Sequence, residues 1–373
     1  MIKEYLISLG YNNIDIEKIL NAYSLNAFKE NTLLIHIKEI YDLLISLGYS
    51  HDNIIRMTNV LPALYSLSAE NIKKKIDDLI SLGYSYNDVI KMTIILPSLF
   101  GLSIENIKQK INDLISLGYS YNDVIKMTKS LPTLYSHGLE NIKQKIDYLI
   151  SLGYSHDDVI KITKQLPSLF GLSIETIKQK IDDLISLGYS REDIIKMAKK
   201  MSTLYCYSIE NVKRKIDDLI SLGYSRDDVI KITRSLPTLF GYGIENIKQK
   251  MDNLISLGYS REDVIKMTKQ LPSLFGLSIE NVNQKIDFFK QINLDAIILT
   301  DTKKLMQSTD LTYARYMFLK EKGVEITINY YNKLFYSAEK FEKQYGIDKT
   351  TLLEKYNYQK YMEERKNDKR IFN

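Results

Sequence analysis

With 373 residues, 45% of them hydrophobic and only 6 prolines, the chain can bury an extended core and remain soluble. Its 51 basic and 46 acidic residues leave a net charge of +5, too mild to demand a polyanionic partner by itself. No apolar run approaches the ~20 residues needed to cross a bilayer. A single cysteine excludes an intramolecular disulfide framework and suits a reducing compartment.

The amino-terminal stretch MIKEYLISLGY ends on Leu9-Gly10-Tyr11, a tripeptide that recurs throughout the chain. It has no signal-peptide or transit-peptide character, so the mature protein is expected to begin at Met1 and to act inside the cell. Residues 12–49 form a degenerate unit of 38 residues whose polar Asn26, Lys29, Glu30 and Asn31 suit an exposed end. Residues 1–49 are therefore read as an amino-terminal capping repeat.

Seven near-identical modules of 35 residues follow over residues 50–294, numbered here 1 to 7 with Ser50 as position 1 of the first. Gly48, Gly83, Gly118, Gly153, Gly188, Gly223 and Gly258 are spaced by 35 without an insertion. A unit this short cannot bury its apolar face alone and must lean on its neighbours, which predicts an all-α solenoid of stacked helix–turn–helix repeats.

Module 3 (residues 120–154) shows how each repeat is written. Ser120 and Asp123 form a capping box, with Tyr119 placed to staple onto Val124. Val124, Met127, Thr128 and Leu131 recur at helical spacing until Pro132 removes a backbone donor and ends the first helix. Thr133-Leu134-Tyr135 is too short for a full helix and predicts one tight turn. The second helix opens near Gly138 with Glu140 in its first turn and an apolar stripe at Leu139, Ile142, Ile146, Leu149 and Ile150. Gly153 closes it as a left-handed cap.

The six prolines, Pro62, Pro97, Pro132, Pro167, Pro237 and Pro272, share one module position. Module 5 has Met201-Ser202 there and also holds Cys206, so a softer helix break and a bend are expected in it. Beyond the array, residues 295–355 read as worn capping repeats, and residues 356–373 as a charged, Tyr-rich tail or frayed helix.

The run Leu-Gly-Tyr-Ser-x-x-Asp-Val-Ile, then Leu-Pro-x-Leu, then Ser-Ile-Glu-Asn-Ile-Lys-x-Lys-Ile-x-x-Leu resembles the repeat of the mitochondrial transcription termination factor (mTERF) family over most of residues 1–355. That resemblance implies a superhelix of modules, each with two α-helices and a short 3₁₀ turn, whose concave face holds double-stranded DNA or, in some members, RNA. It also implies a role in transcription termination or organelle gene expression. The stretch from Tyr259 to Met267 is similar to repeats of TAL-effector-like proteins, but proline occupies the region of their base-reading loop.

The residues point to a polyanion independently. Position 7 of the first helix is basic in every module: Arg56, Lys91, Lys126, Lys161, Lys196, Lys231 and Lys266. Position 10 adds Lys129, Lys164, Lys199, Arg234 and Lys269 about one turn further along. Stacking turns these into two adjacent basic rows able to track a phosphate backbone, although a lysine row is as often only a solvated face. Later modules gain Arg191, Arg226 and Arg261 at helix starts, plus Lys200 and Arg214, placing the strongest binding there.

Lys75, Lys110, Lys145, Lys180, Lys215, Lys250 and Lys285 form a further row beside the second helix's stripe. Their stems are expected to cover the core edge and their heads to pair with acids of the same helix. The closing tyrosines, and the aromatic row of Tyr65, Phe100, Tyr135, Phe170, Tyr205, Phe240 and Phe275, read as core rather than as stacking platforms.

Nothing here spells catalysis. His36, His51, His137 and His156 lack metal spacing, and Gly241-Tyr242-Gly243 is helix-cap chemistry rather than a nucleotide loop. A monomeric, non-catalytic nucleic-acid binder without cofactor, metal or membrane is the leading expectation, and a protein-interaction scaffold the alternative. Between modules, variation concentrates at positions 2 and 3, at 10 and 11, and from 16 to 19, which marks either surface drift or target-tuning sites.

Overall fold

The computed structural model describes residues 1–22 and 30–363, and among them every regular element is an α-helix or a 3₁₀ turn. The chain divides into two compact units, Met1–Asp182 and Asp183–Asn373, each a stack of helix–3₁₀–helix modules. Asn26 and Lys29 and the side chain of Glu30 lie outside the described residues; Asn31 is exposed.

In module 3 the first helix is Tyr121–Ser130, the 3₁₀ turn Pro132–Ser136 and the second helix Leu139–Ser151. Ser120 and Asp123 cap each other's backbone, and the same reciprocal box forms at Ser85, Ser190 and Ser260. Leu131 sits at φ −133°, ψ 78°, the extended basin that a following proline imposes. Ile142, Ile146 and Leu149 are buried as the stripe requires. Ile150, by contrast, is 37% exposed, because it lies about 100° around the helix from Leu149. Gly118 shows why its position admits only glycine: φ is +103°, and an added Cβ would come within 3.1 Å of the His156 ring.

The softer break expected of module 5 does not appear. Its helices, Arg191–Lys200 and Ile209–Ser221, and its turn Ser202–Cys206 keep the common register. The Met201 amide donates to the Met197 carbonyl at 2.8 Å, as Leu131 does to Met127. Ser202, Leu204 and Tyr205 are buried there, so core packing holds the turn without the proline.

Three bonds recur where modules meet. In unit 1 a tyrosine preceding a first helix reaches a buried threonine one module on: Tyr49 to Thr93 and Tyr119 to Thr163, each at 2.6 Å, whereas module 5 has Ala198 at the threonine's position. Thr163 already donates to the Val159 carbonyl at 2.7 Å, which leaves Tyr119 as the donor of the shared bond. Unit 2 repeats this with Tyr189 and Thr233 at 2.7 Å and Tyr224 and Thr268 at 2.6 Å. Burial outweighs these hydrogen bonds and pushes the Tyr189 and Tyr224 hydroxyls up to about 12.

The second-helix lysines make the second bond, and not with acids of their own helix. Lys110 donates to the His137 carbonyl at 2.6 Å, Lys145 to that of Phe170 at 2.5 Å, and Lys75, Lys215 and Lys250 to those of Leu102, Tyr242 and Leu277. Each acceptor lies at the end of the next module's 3₁₀ turn, where a carbonyl has no helical partner. Burial lowers the pKa of Lys75, Lys145, Lys215 and Lys250 below the ordinary lysine value. Lys285 grips Leu305 and Gln307, and in the helix Thr309–Glu321 the buried Arg315 grips Leu334 and Tyr336 in the same way. The third bond is made by position 2: Tyr86, Tyr121, Arg226 and Arg261 donate to Leu47, Leu82, Leu187 and Leu222 carbonyls respectively.

At the carboxyl end, the helix Ala296–Thr300, the turn Thr302–Met306 and Thr309–Glu321 keep the module's order with a first helix of 5 residues instead of 10. The expected frayed tail is anchored at its start: residues 358–363 are helical and Tyr358 is buried with its ring 5.9 Å from Phe288. Residues 364–373 lie outside the described residues.

Because these bonds join neighbours only, deleting residues 120–154 should leave a shorter, cooperatively folded helical protein by circular dichroism and thermal melting. Global unfolding of that deletion would sink the stacked-module account. Replacing Thr163 by Val should strand the Tyr119 hydroxyl in the core and cost about 1–3 kcal/mol in denaturant unfolding.

Candidate nucleic-acid interface

The first helices set the geometry of the basic rows. In module 3, Val124, Met127 and Thr128 are buried, which turns positions 7, 10 and 11 to solvent. All seven position-7 residues are exposed. Among the described residues, Arg56, Lys91, Lys126, Lys161, Lys231 and Lys266 make no hydrogen bond or ion pair, while Lys196 pairs with Glu192 of its own helix at 2.7 Å.

Position 10 behaves differently. Lys129 pairs with Asp88 at 2.9 Å, Lys164 with Asp123 at 3.4 Å, Arg234 with Asp193 at 3.2 Å and Lys269 with Asp228 at 2.7 Å. Each acid is the capping residue of the preceding module's first helix. Lys199 is not free either. The two rows that the sequence presents as equivalent are thus one row of solvated cations and one row of joints.

The carboxylates register the pairing. Partial burial alone would raise Asp88, Asp193 and Asp228, but hydrogen bonds from Lys129, Arg234 and Lys269 and from the capping serines outweigh it and hold them below the ordinary 3.8. At Asp123 the Ser120 hydroxyl is the largest influence, with Lys164 adding to it, and the net direction is again down.

Two of the three helix-start arginines also prove structural, while Arg191 makes no such bond among the described residues. Arg226 and Arg261 spend a guanidinium nitrogen on backbone carbonyls at 3.1 and 2.8 Å, the place taken in earlier modules by tyrosine. What the later modules do offer is a shallow groove of 640 Å³ in unit 2, where Lys196, Lys199, Lys200, Lys231 and Arg234 surround Asp193. Lys200 steadies its rim by donating to the Ser235 carbonyl at 3.0 Å. The sequence signal for this groove is the doubled lysine at positions 10 and 11, found in no other module.

Among the described residues no three His, Cys, Asp or Glu side chains converge to hold a metal, and no helix is long and apolar enough to cross a membrane. His51 is engaged through its Nδ1 with the Tyr41 hydroxyl at 2.8 Å.

A folded pKa held below the unfolded value stabilises the protein above that value and ceases to do so as pH falls through the folded one. The Asp–cation joints should therefore be fully effective above about pH 4 and lost below it. Exchanging Asp88, Asp123, Asp193 and Asp228 for Asn should lower the melting temperature at neutral pH and flatten its decline in acid. An unchanged acid limb would assign the decline to other carboxylates.

No curated protein matches the chain. A family model described as mTERF matches residues 3–116, 105–221 and 215–342, so that three successive matches take in every module and most of the flanking capping residues. Members of this family are repeat proteins that bind nucleic acid in transcription-related roles and are not enzymes. The period, the helix–3₁₀–helix module and this match agree: the chain belongs to the mTERF family.

Proposed function

We propose that the protein binds double-stranded DNA through the position-7 cations of its first helices, most strongly at the groove between modules 5 and 6, and acts in the control or termination of transcription. The observation that carries this reading is the separation of the rows. Six of the seven position-7 cations have no internal partner, so a phosphate need displace nothing to reach them. Positions 7, 10, 11 and 14 carry no aromatic residue in any module, which fits a surface that follows a charged backbone better than one that stacks unpaired bases. RNA remains the alternative ligand within this reading, and the test below separates the two.

Changing Lys126, Lys161, Lys196 and Lys231 together to Glu should weaken binding of a labelled duplex strongly with helicity intact. The salt slope should flatten by about one unit for each phosphate that the variant no longer neutralises. Changing Lys129, Lys164, Arg234 and Lys269 to Gln should instead lower stability, by up to about 1 kcal/mol per exposed pair. Wild-type affinity and slope in the first variant would show that row to be a solvated face. Tighter binding of a single-stranded RNA than of the duplex at equal salt would transfer the reading to RNA.

A further inference from the structure

The solvent-facing end of the first helix changes character within unit 1. Positions 10 and 11 are Lys129-Ser130, Lys164-Gln165, Lys199-Lys200, Arg234-Ser235 and Lys269-Gln270 in modules 3 to 7, but Asn59-Val60 and Ile94-Ile95 in modules 1 and 2. Val60 is 73% exposed and Ile95 56%. The helices that carry them, His51–Val60 and Tyr86–Ile95, pack against each other, with the two side chains at the same position of adjacent modules.

Packing does not account for them. Ile54, Met57 and Thr58 complete the buried face of one helix, and Val89, Met92 and Thr93 that of the other. A β-branched side chain gives no helix advantage over Ser or Gln at an exposed site. The substitutions are also coordinated across the joint. Where other pairs of modules place an Asp opposite a Lys or Arg, modules 1 and 2 place Asn53 opposite Ile94, so both members of the ion pair are neutral at once. No carboxylate is left at the Asn53–Ile94 joint itself, and exposed Asp52 lies about two turns away from Val60 at the helix start. One helical turn before Val60 and Ile95 stand Arg56 and Lys91, exposed and without partners among the described residues.

We infer that this surface of modules 1 and 2 docks an acidic, apolar segment of a partner protein, its apolar side chains over Val60 and Ile95 and its carboxylates toward Arg56 and Lys91. A sugar–phosphate backbone has nothing to bury against Val60 and Ile95, whereas an amphipathic acidic segment satisfies both halves of the surface. This docking shares Arg56 and Lys91 with the position-7 row proposed for nucleic acid, but Val60 and Ile95 belong to neither basic row, and all four lie outside the cationic groove of modules 5 and 6.

The test is selection of displayed random peptides on the full-length protein, followed by fluorescence anisotropy of the enriched peptide on variants. Enrichment of sequences combining Leu, Ile, Phe or Met with Asp or Glu is expected. Their affinity should fall by about tenfold or more both in V60N/I95N and in R56Q/K91Q, a reduction typical of residues at the centre of an interface. Duplex DNA affinity and the melting temperature of V60N/I95N should match wild type. Failure to enrich any peptide, or enrichment of peptides that bind V60N/I95N as well as wild type, would overturn the proposal. A concentration-dependent self-association in sedimentation that V60N/I95N abolishes would overturn it in favour of a second copy, and a loss of duplex affinity in that variant in favour of nucleic acid.

Discussion

The buried hydroxyl pair that ties the tyrosine before a first helix to a threonine in the next module, at every joint but the one where module 5 has Ala198 and the one after Tyr259, is the bond on which the rest of the architecture rests. Two hydroxyls inside an apolar stack are costly unless each finds a partner. The threonine satisfies its own helix with its proton and leaves a lone pair for the tyrosine, so the pair is complete only when the two modules are in register. Around it the lysine clamp closes the end of the 3₁₀ turn, and on the outside the Asp–cation pairs hold the helix starts together. Each joint thus runs from a dry centre to a wet rim, with bonds that weaken toward solvent.

That gradient explains why the two basic rows diverge. A cation at position 10 lies within reach of the neighbour's capping acid, and one at position 7 does not, although both sit on the same polar side of the same helix. The protein therefore keeps much of its basic charge for itself. The mild net charge of +5 conceals a division of labour: buried lysines on carbonyls, rim lysines on acids, and one row facing water.

Much of this is legible from residue order. The proline, the glycine and the Ser–Asp box mark where each helix stops and starts, because those are local effects confined to a few neighbouring residues. The helix break of module 5 misleads because buried neighbours can impose a turn that the local sequence does not demand, as Leu204 and Tyr205 do. Partner identity is less accessible still. Tyr119 and Thr163 are 44 residues apart, Asp123 and Lys164 are 41, and Lys110 and the His137 carbonyl are 27. None of these offsets follows from a period of 35, since they depend on how far each module turns and rises relative to the last. A trace is nevertheless present: Asn53 and Ile94, 41 residues apart, depart together from the Asp and the Lys that other modules keep.

The constancy of those offsets has a bearing on heredity. Most bonds at a joint run between fixed positions of adjacent modules, Ala198 of module 5 and the Asn53–Ile94 pair being exceptions, so recombination between two copies out of step adds or removes whole joints and never half of one. The gene can change the length of its array without reinventing any bond, while the capping helices at the ends stay as they are. Each such event would add or remove one water-facing cation at position 7 as well. The reach of the protein along a polyanion would then be inherited as a copy number, open to change in single steps, rather than as a set of side chains to be optimised one at a time.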